Sequence, residues 1–164
     1  MEALGRAADQ PISVYLAGGA TAVLMGWRSS TVDIDFLAVP DSGAMMRAIP
    51  ALKESLSVNL EIAGPAQFIP VSPGWEQRSP FIARHGQVDF YHFDLVAQAL
   101  AKLERRHARD RADVDAMVAR GLINAADVRA AFAQAEPELY RFPAIDPPTF
   151  RRAVDEVFPP DHDR

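Results

Sequence analysis

The stretch VYLAGGATAVLMGWRSSTVDIDFLAV, residues 14–39, decides the fold. It reads as a strand, a glycine pair, a short apolar helix, a loop rich in hydroxyls, and a second strand carrying Asp33 and Asp35. Side chains on a strand repeat every second residue, so the two carboxylates leave the same face. Two adjacent carboxylates repel, and burying them unpaired costs several kcal/mol or forces one to stay protonated. A divalent cation is the usual remedy, and Mg²⁺ is suited to one or two carboxylates completed by waters and substrate phosphates. Taken alone, Asp-Ile-Asp reads more readily as the solvated face of an edge strand.

The residues on either side extend the pattern. Gly18-Gly19 ends the first strand at the start of the helix, where free N–H groups favour an anion, although a lone glycine pair more often makes only a tight turn. Arg28, Ser30 and Thr31 approach the second strand as a guanidinium and two hydroxyls that can complete a phosphate site, or as a plain polar loop. A third strand is expected over residues 57–64 with Glu61 in its middle. An acid inside an apolar strand calls for a metal, a basic partner or exposure. If that strand lies beside the second, Glu61 supplies a third carboxylate; Asp89, on a later strand, is the reserve candidate.

Length and composition set the frame. At 164 residues, with 49% hydrophobic and 24% charged side chains, the chain has the make-up of one globular domain with room for a small helical appendage. A net charge of −5 argues against tight nonspecific nucleic-acid binding, though not against a local nucleotide site. The absence of cysteine excludes disulfides and thiolate metal sites and fits a reducing compartment. No secretory signal is evident and no apolar run is long enough to span a bilayer, so a cytoplasmic protein without a membrane partner is expected.

Further elements follow from periodicity and punctuation. A lead-in helix stops before Pro11, a helix over residues 44–56 is broken or kinked by Pro50, and an irregular Pro-rich connection over residues 65–80 includes an extended piece at 67–71. Residues 81–84 and 87–93 form a hairpin about His85-Gly86, with Asp89 and His92 on opposite faces. From Asp94, an N-cap, the pattern is helical, with a C-cap at Gly121 and a new helix from Asn124. Lys102 on the first of these helices is either part of a solvated charged face or an inward lysine that meets a phosphate. The tail from Glu136 holds six prolines and one short helix over residues 150–157; it is expected to wrap the surface and fray at residues 161–164. The four histidines, His85, His92, His107 and His162, lack metal-ligand spacing. The resulting division is a core over residues 1–93, a helical part over 94–135 and a tail over 136–164.

The sequence Gly18-Gly19, short helix, Arg28-Ser29-Ser30-Thr31-Val32-Asp33-Ile34-Asp35, then Glu61, Lys102 and Arg109-Asp110-Arg111-Ala112-Asp113 resembles nucleotidyltransferases of the DNA polymerase β superfamily. Its closer likeness is to the small bacterial AbiEii-like and MenT-like enzymes. That resemblance implies an α+β fold, a mixed β-sheet flanked by helices with a C-terminal helical part. It also implies that Asp33, Asp35 and Glu61 hold Mg²⁺, with two ions at the site. Gly18, Gly19 and Ser30 or Thr31 would cradle the triphosphate of an NTP, and Lys102 or Arg28 would offset charge as pyrophosphate leaves. The implied reaction moves an NMP to an RNA or protein acceptor. Several relatives act as toxins held by a cognate antitoxin, and a catalytically silent nucleotide-binding or antitoxin module of the same fold is the alternative.

Overall fold

A computed structural model describes residues 1–160; the expected fraying at 161–164, and His162, lie outside the described residues. By its internal contacts the chain divides into two compact units. One comprises Met1–Gly64 with Glu76–Phe93, and the other takes Pro65–Trp75 with the chain from Asp94 onward.

The first unit is built on a five-stranded mixed sheet. Its strands are β1 (Ile12–Ala17), β2 (Asp33–Val39), β3 (Asn59–Ile62), β4 (Phe81–His85) and β5 (Val88–His92), in the order β3-β2-β1-β5-β4. β1 runs antiparallel to β2 and parallel to β5, β2 is parallel to β3, and β4–β5 is the hairpin predicted about His85-Gly86. The helices are α1 (Glu2–Ala7), α2 (Gly18–Leu24), α3 (Gly43–Leu56) and the single turn α4 (Trp75–Arg78) at the unit's edge. Leu16 pairs with Phe36 and Ala17 with Asp35, so alternation sorts the sheet into two faces. Val14, Leu16, Phe36, Leu60, Val88 and Phe90 are buried on one face with Leu4 and Met45, which α1 and α3 contribute. Tyr15, Ala17, Asp33, Asp35, Asn59, Glu61 and Tyr91 share the other.

α3 differs from expectation. Pro50 sits inside a helix that runs unbroken from Gly43 to Leu56, started by the Ser42 hydroxyl accepting from the Met45 N–H. Proline deletes one backbone donor, and the fourteen-residue helix retains enough other bonds and buried side chains to continue through it. The piece predicted as extended over 67–71 is not a strand: Pro65–Gln67 form a 3₁₀ turn.

The second unit is helical: α5 (Leu95–Arg105), α6 (Ala108–Ala119), α7 (Ala125–Ala135) and α8 (Pro147–Val157), with a 3₁₀ segment at Glu136–Arg141. Asp94 and Asn124 cap α5 and α7 through their side chains, as their positions predicted, and Gly121 follows α6 at φ +66°. The segment after Glu136 is not a surface wrap. Phe150, Ala153, Val154 and Phe158 are buried, and Phe150 meets Phe132 of α7 edge-on at 5.0 Å, because the apolar stripe of α8 recurs at helical spacing despite the prolines around it. No helix among the described residues is long and apolar enough to cross a membrane.

Candidate functional site

β2 is the strand that positions the candidate acids. Asp33 opens it, exposed, and Asp35 stands two residues on, half-buried, on the same face. β3 lies parallel beside it with Asn59 opposite Asp33 and Glu61 opposite Asp35. Asp33, Asp35 and Glu61 therefore meet on one sheet face, as the sequence predicted if strands two and three were neighbours.

Between them is a residue that the sequence reading missed. The Asn59 amide nitrogen donates to Asp33 Oδ1 at 3.2 Å and to Glu61 Oε1 at 2.9 Å, tying two carboxylates with one side chain. Its signal was available, since Asn59 is two residues before Glu61 and must share its face. Among the described residues, no three His, Cys, Asp or Glu side chains are gathered as a ready metal cluster. The donor set is instead two carboxylates on one strand, with a third acid next door held by an amide.

The glycine pair is explained by what approaches it. Gly18 has φ +60°, and a Cβ there would stand 2.9 Å from Asp35 Oδ2. At Gly19 a Cβ would run into Thr31 Oγ1 and stand 3.0 Å from Thr31 Cβ. Thr31 in turn accepts from the Asp33 N–H at 3.2 Å and donates to the Asp33 carbonyl at 3.0 Å, a local turn that sets the start of β2. The two glycines thus let the first residues of α2 lie directly against the acidic strand. Ser30 is exposed beside this turn, and Arg28 is half-buried, its N–H donating to the Ala22 carbonyl at the end of α2.

α2 is anchored from below. The buried Thr21 hydroxyl donates to the Leu16 carbonyl at 3.0 Å, which leaves its oxygen to accept from His92 Nδ1 at 3.2 Å and fixes the proton on that nitrogen. Burial lowers the His92 pKa, so the ring is held neutral.

Two further candidates pair with other charged groups. Asp89 lies opposite Ser13 at the far end of β1 from Ala17 and Asp35, where Arg84 binds it in a bidentate pair and holds its carboxyl below the usual range. It does not stand beside Asp33 and Asp35. Lys102, on α5 in the helical unit, is inward and buried at 4% exposure, but its ammonium is closed between Asp113 Oδ2 at 2.5 Å and Asp110 Oδ1 at 3.3 Å. Arg105 adds a second cation to Asp110 at 2.9 Å. The lysine expected to meet a phosphate is thereby committed to the Asp110–Asp113 pair, which sits three residues apart on one face of α6.

The arrangement is that of paired carboxylates at a strand start, crossed closely by a side-chain-free turn, which is chemistry suited to a cation and a phosphate chain. Among curated proteins and among solved structures, nothing matches the chain. A family model does, over residues 1–144, a span holding every candidate named above, and its description is the conclusion the fold and acids lead to: the chain belongs to the family described as Nucleotidyltransferase of unknown function (DUF6036).

Proposed function

We propose that this nucleotidyltransferase is metal-dependent and moves an NMP from an NTP to an acceptor, with RNA favoured over protein, in the manner of the small toxin-like enzymes it resembles. The observation that carries the reading is the shared face of Asp33, Asp35 and Glu61, with Gly18 leaving open the space against Asp35 that a Cβ would fill.

Asp33 and Asp35 fit Mg²⁺, which takes one or two carboxylates and leaves its remaining positions to water and phosphate oxygens. When bound, Mg²⁺ would lower the pKa of the attacking hydroxyl and neutralise charge on the leaving pyrophosphate. The chain's own residues supply positioning. Thr31 sets the backbone of Asp33, Asn59 keeps Glu61 and Asp33 at a fixed separation, and the glycines admit a triphosphate close to the strand, with Arg28 and Ser30 as its flanking donors. Positioning and charge compensation account for most of the rate in phosphoryl chemistry, so each carboxylate is worth several kcal/mol of barrier.

The test is transfer from each labelled NTP, in Mg²⁺ and in EDTA, to RNA and to total protein. Asp33→Asn/Asp35→Asn should abolish it, and expression of the wild type should be toxic where the double variant is not. Absence of both transfer and nucleotide binding would sink the proposal. The second reading is a silent nucleotide-binding module, favoured by the Asn59 amide standing among the acids and by the closure of Lys102. Nucleotide binding unaltered in the double variant, with no transfer by either protein, would establish it instead.

A further inference from the structure

The face that carries the acids also carries a row of aromatic rings. Tyr15, Tyr91 and Phe81 follow one another across β1, β5 and β4 in direct register. Tyr15 and Tyr91 stack with centroids 5.2 Å apart and planes at 21°, and Phe81 meets Tyr91 edge-on at 5.5 Å and 73°. Tyr15 is opposite Leu37, two residues along β2 from Asp35, so the row lies one pleat repeat, about 7 Å, from the carboxylates. Exposure rises outward: Tyr15 is buried at 7%, Tyr91 is half-buried, and Phe81 is 59% exposed on an edge strand.

Beyond its edge-on contact with Tyr91, most of the Phe81 ring is open to water at the sheet edge. We infer that the outer end of this row, Phe81 beside Tyr91, takes the bases just upstream of the 3′-terminal nucleotide of a single-stranded RNA acceptor, an inference that rests on the nucleotidyltransferase reading and names its acceptor. Every base presents a π-face, and aromatic side chains bind bases by stacking with little regard to sequence.

The spacing favours the acceptor over the NTP. With strands about 4.8 Å apart, Tyr91 and Phe81 stand about 10 and 14 Å to the side of Asp35, in addition to the pleat repeat along the strands. That is beyond the base of a nucleotide whose α-phosphate lies at the carboxylates, and within reach of a strand whose 3′ end comes to them. In the next row Asp89 is neutralised by Arg84, and Glu76 of α4 is the acid whose charge reaches Tyr15. With a net charge of −5 the chain offers no overall basic surface, so stacking on the row would have to supply the contact that phosphate pairing supplies elsewhere.

The experiment uses the full chain and two fluorescent probes, a short single-stranded RNA with 2-aminopurine in the two positions before its last nucleotide and 2-aminopurine riboside triphosphate. Phe81→Ala should weaken binding of the RNA about tenfold, Phe81→Tyr should restore it, and the triphosphate should bind all three proteins alike. Circular dichroism and a melting curve confirm that the edge-strand variants are folded. RNA binding unchanged in Phe81→Ala, while Mg²⁺-dependent transfer persists, would overturn this inference and leave the transferase reading standing. A loss confined to the triphosphate would overturn it by giving the row to the NTP. Wild-type protein that binds neither probe and transfers nothing fails the transferase reading itself.

Discussion

Replacing Gly18 by alanine separates two effects that the structure places at one residue. The first is conformational: at φ +60° an L-residue loses about 1–2 kcal/mol, which for a chain of this size lowers Tm by roughly 2–8 °C. The second is contact, since the new methyl stands 2.9 Å from Asp35 Oδ2 and ordinary contact begins at 3.4 Å. The carboxylate must therefore retreat by about half an ångström; misplacement by a full ångström can remove about a hundredfold in rate, so a tenfold loss of transfer is the natural scale. Gly26 supplies the control, with φ +86° and nothing within 4 Å of its would-be Cβ. Gly26→Ala should melt earlier by a similar amount yet keep Mn²⁺ binding and transfer. Gly18→Ala should lose stability and, in addition, about tenfold in transfer, with weaker Mn²⁺ binding read by electron paramagnetic resonance. If the two variants retain equal metal binding and equal transfer, the claim that Gly18 exists to seat Asp35 is refuted.

Asn59→Asp puts a carboxylate between Asp33 and Glu61, so melting should drop in EDTA, by an amount corresponding to roughly 1 kcal/mol, and recover in millimolar Mg²⁺ beyond the wild-type increment. Lys102→Met leaves Asp110 and Asp113 buried without their ammonium, and urea unfolding should show a loss of about 3–5 kcal/mol; a variant of wild-type stability with a selective fall in kcat would restore the phosphate role. Thr21→Val orphans His92 Nδ1 and should destabilise by about 1–3 kcal/mol, Thr21→Ser by much less. His92 has its folded pKa below the ordinary 6.5, so it adds stability above that pH and loses it as pH falls toward the folded value. Urea midpoints should fall for the wild type on acidification below about pH 6.5, and His92→Gln should lack that component.

The sheet, its hairpin and the helix caps were legible because they rest on local signals: alternation at Asp33 and Asp35, a Gly turn after His85, Asp94 and Asn124 before apolar runs. What escaped had causes outside the local window. Pro50 reads as a breaker, but a helix already capped by Ser42 and packed through Met45 carries the missing bond. The prolines after Glu136 suggested loose chain, while Phe150 and Val154 were the stronger fact. Asn59 was passed over because a neutral amide between two acids carries no charge signature, and its role depends on the β2–β3 register. For Lys102 the sequence leaves a solvated face and an inward lysine both open, and which anion it meets is a tertiary matter: two carboxylates eight and eleven positions on close on its buried ammonium. The glycine pair alone reads as a tight turn or a phosphate cradle, and the side chains that crowd it, Asp35 and Thr31, come from the next strand and the turn that enters it.

The lysine with its two aspartates carries a consequence for how this family can drift. A mutation at 102 removes the ammonium that two buried anions share, and a mutation at 110 or 113 unbalances what remains, so single steps away from the set pass through a less stable chain. Joint replacement by apolar residues of similar volume is the route that avoids that valley. Positions 102, 110 and 113 should therefore be inherited as a block across homologous chains, kept together or exchanged together, and a relative that has lost one of them should prove to have lost all three.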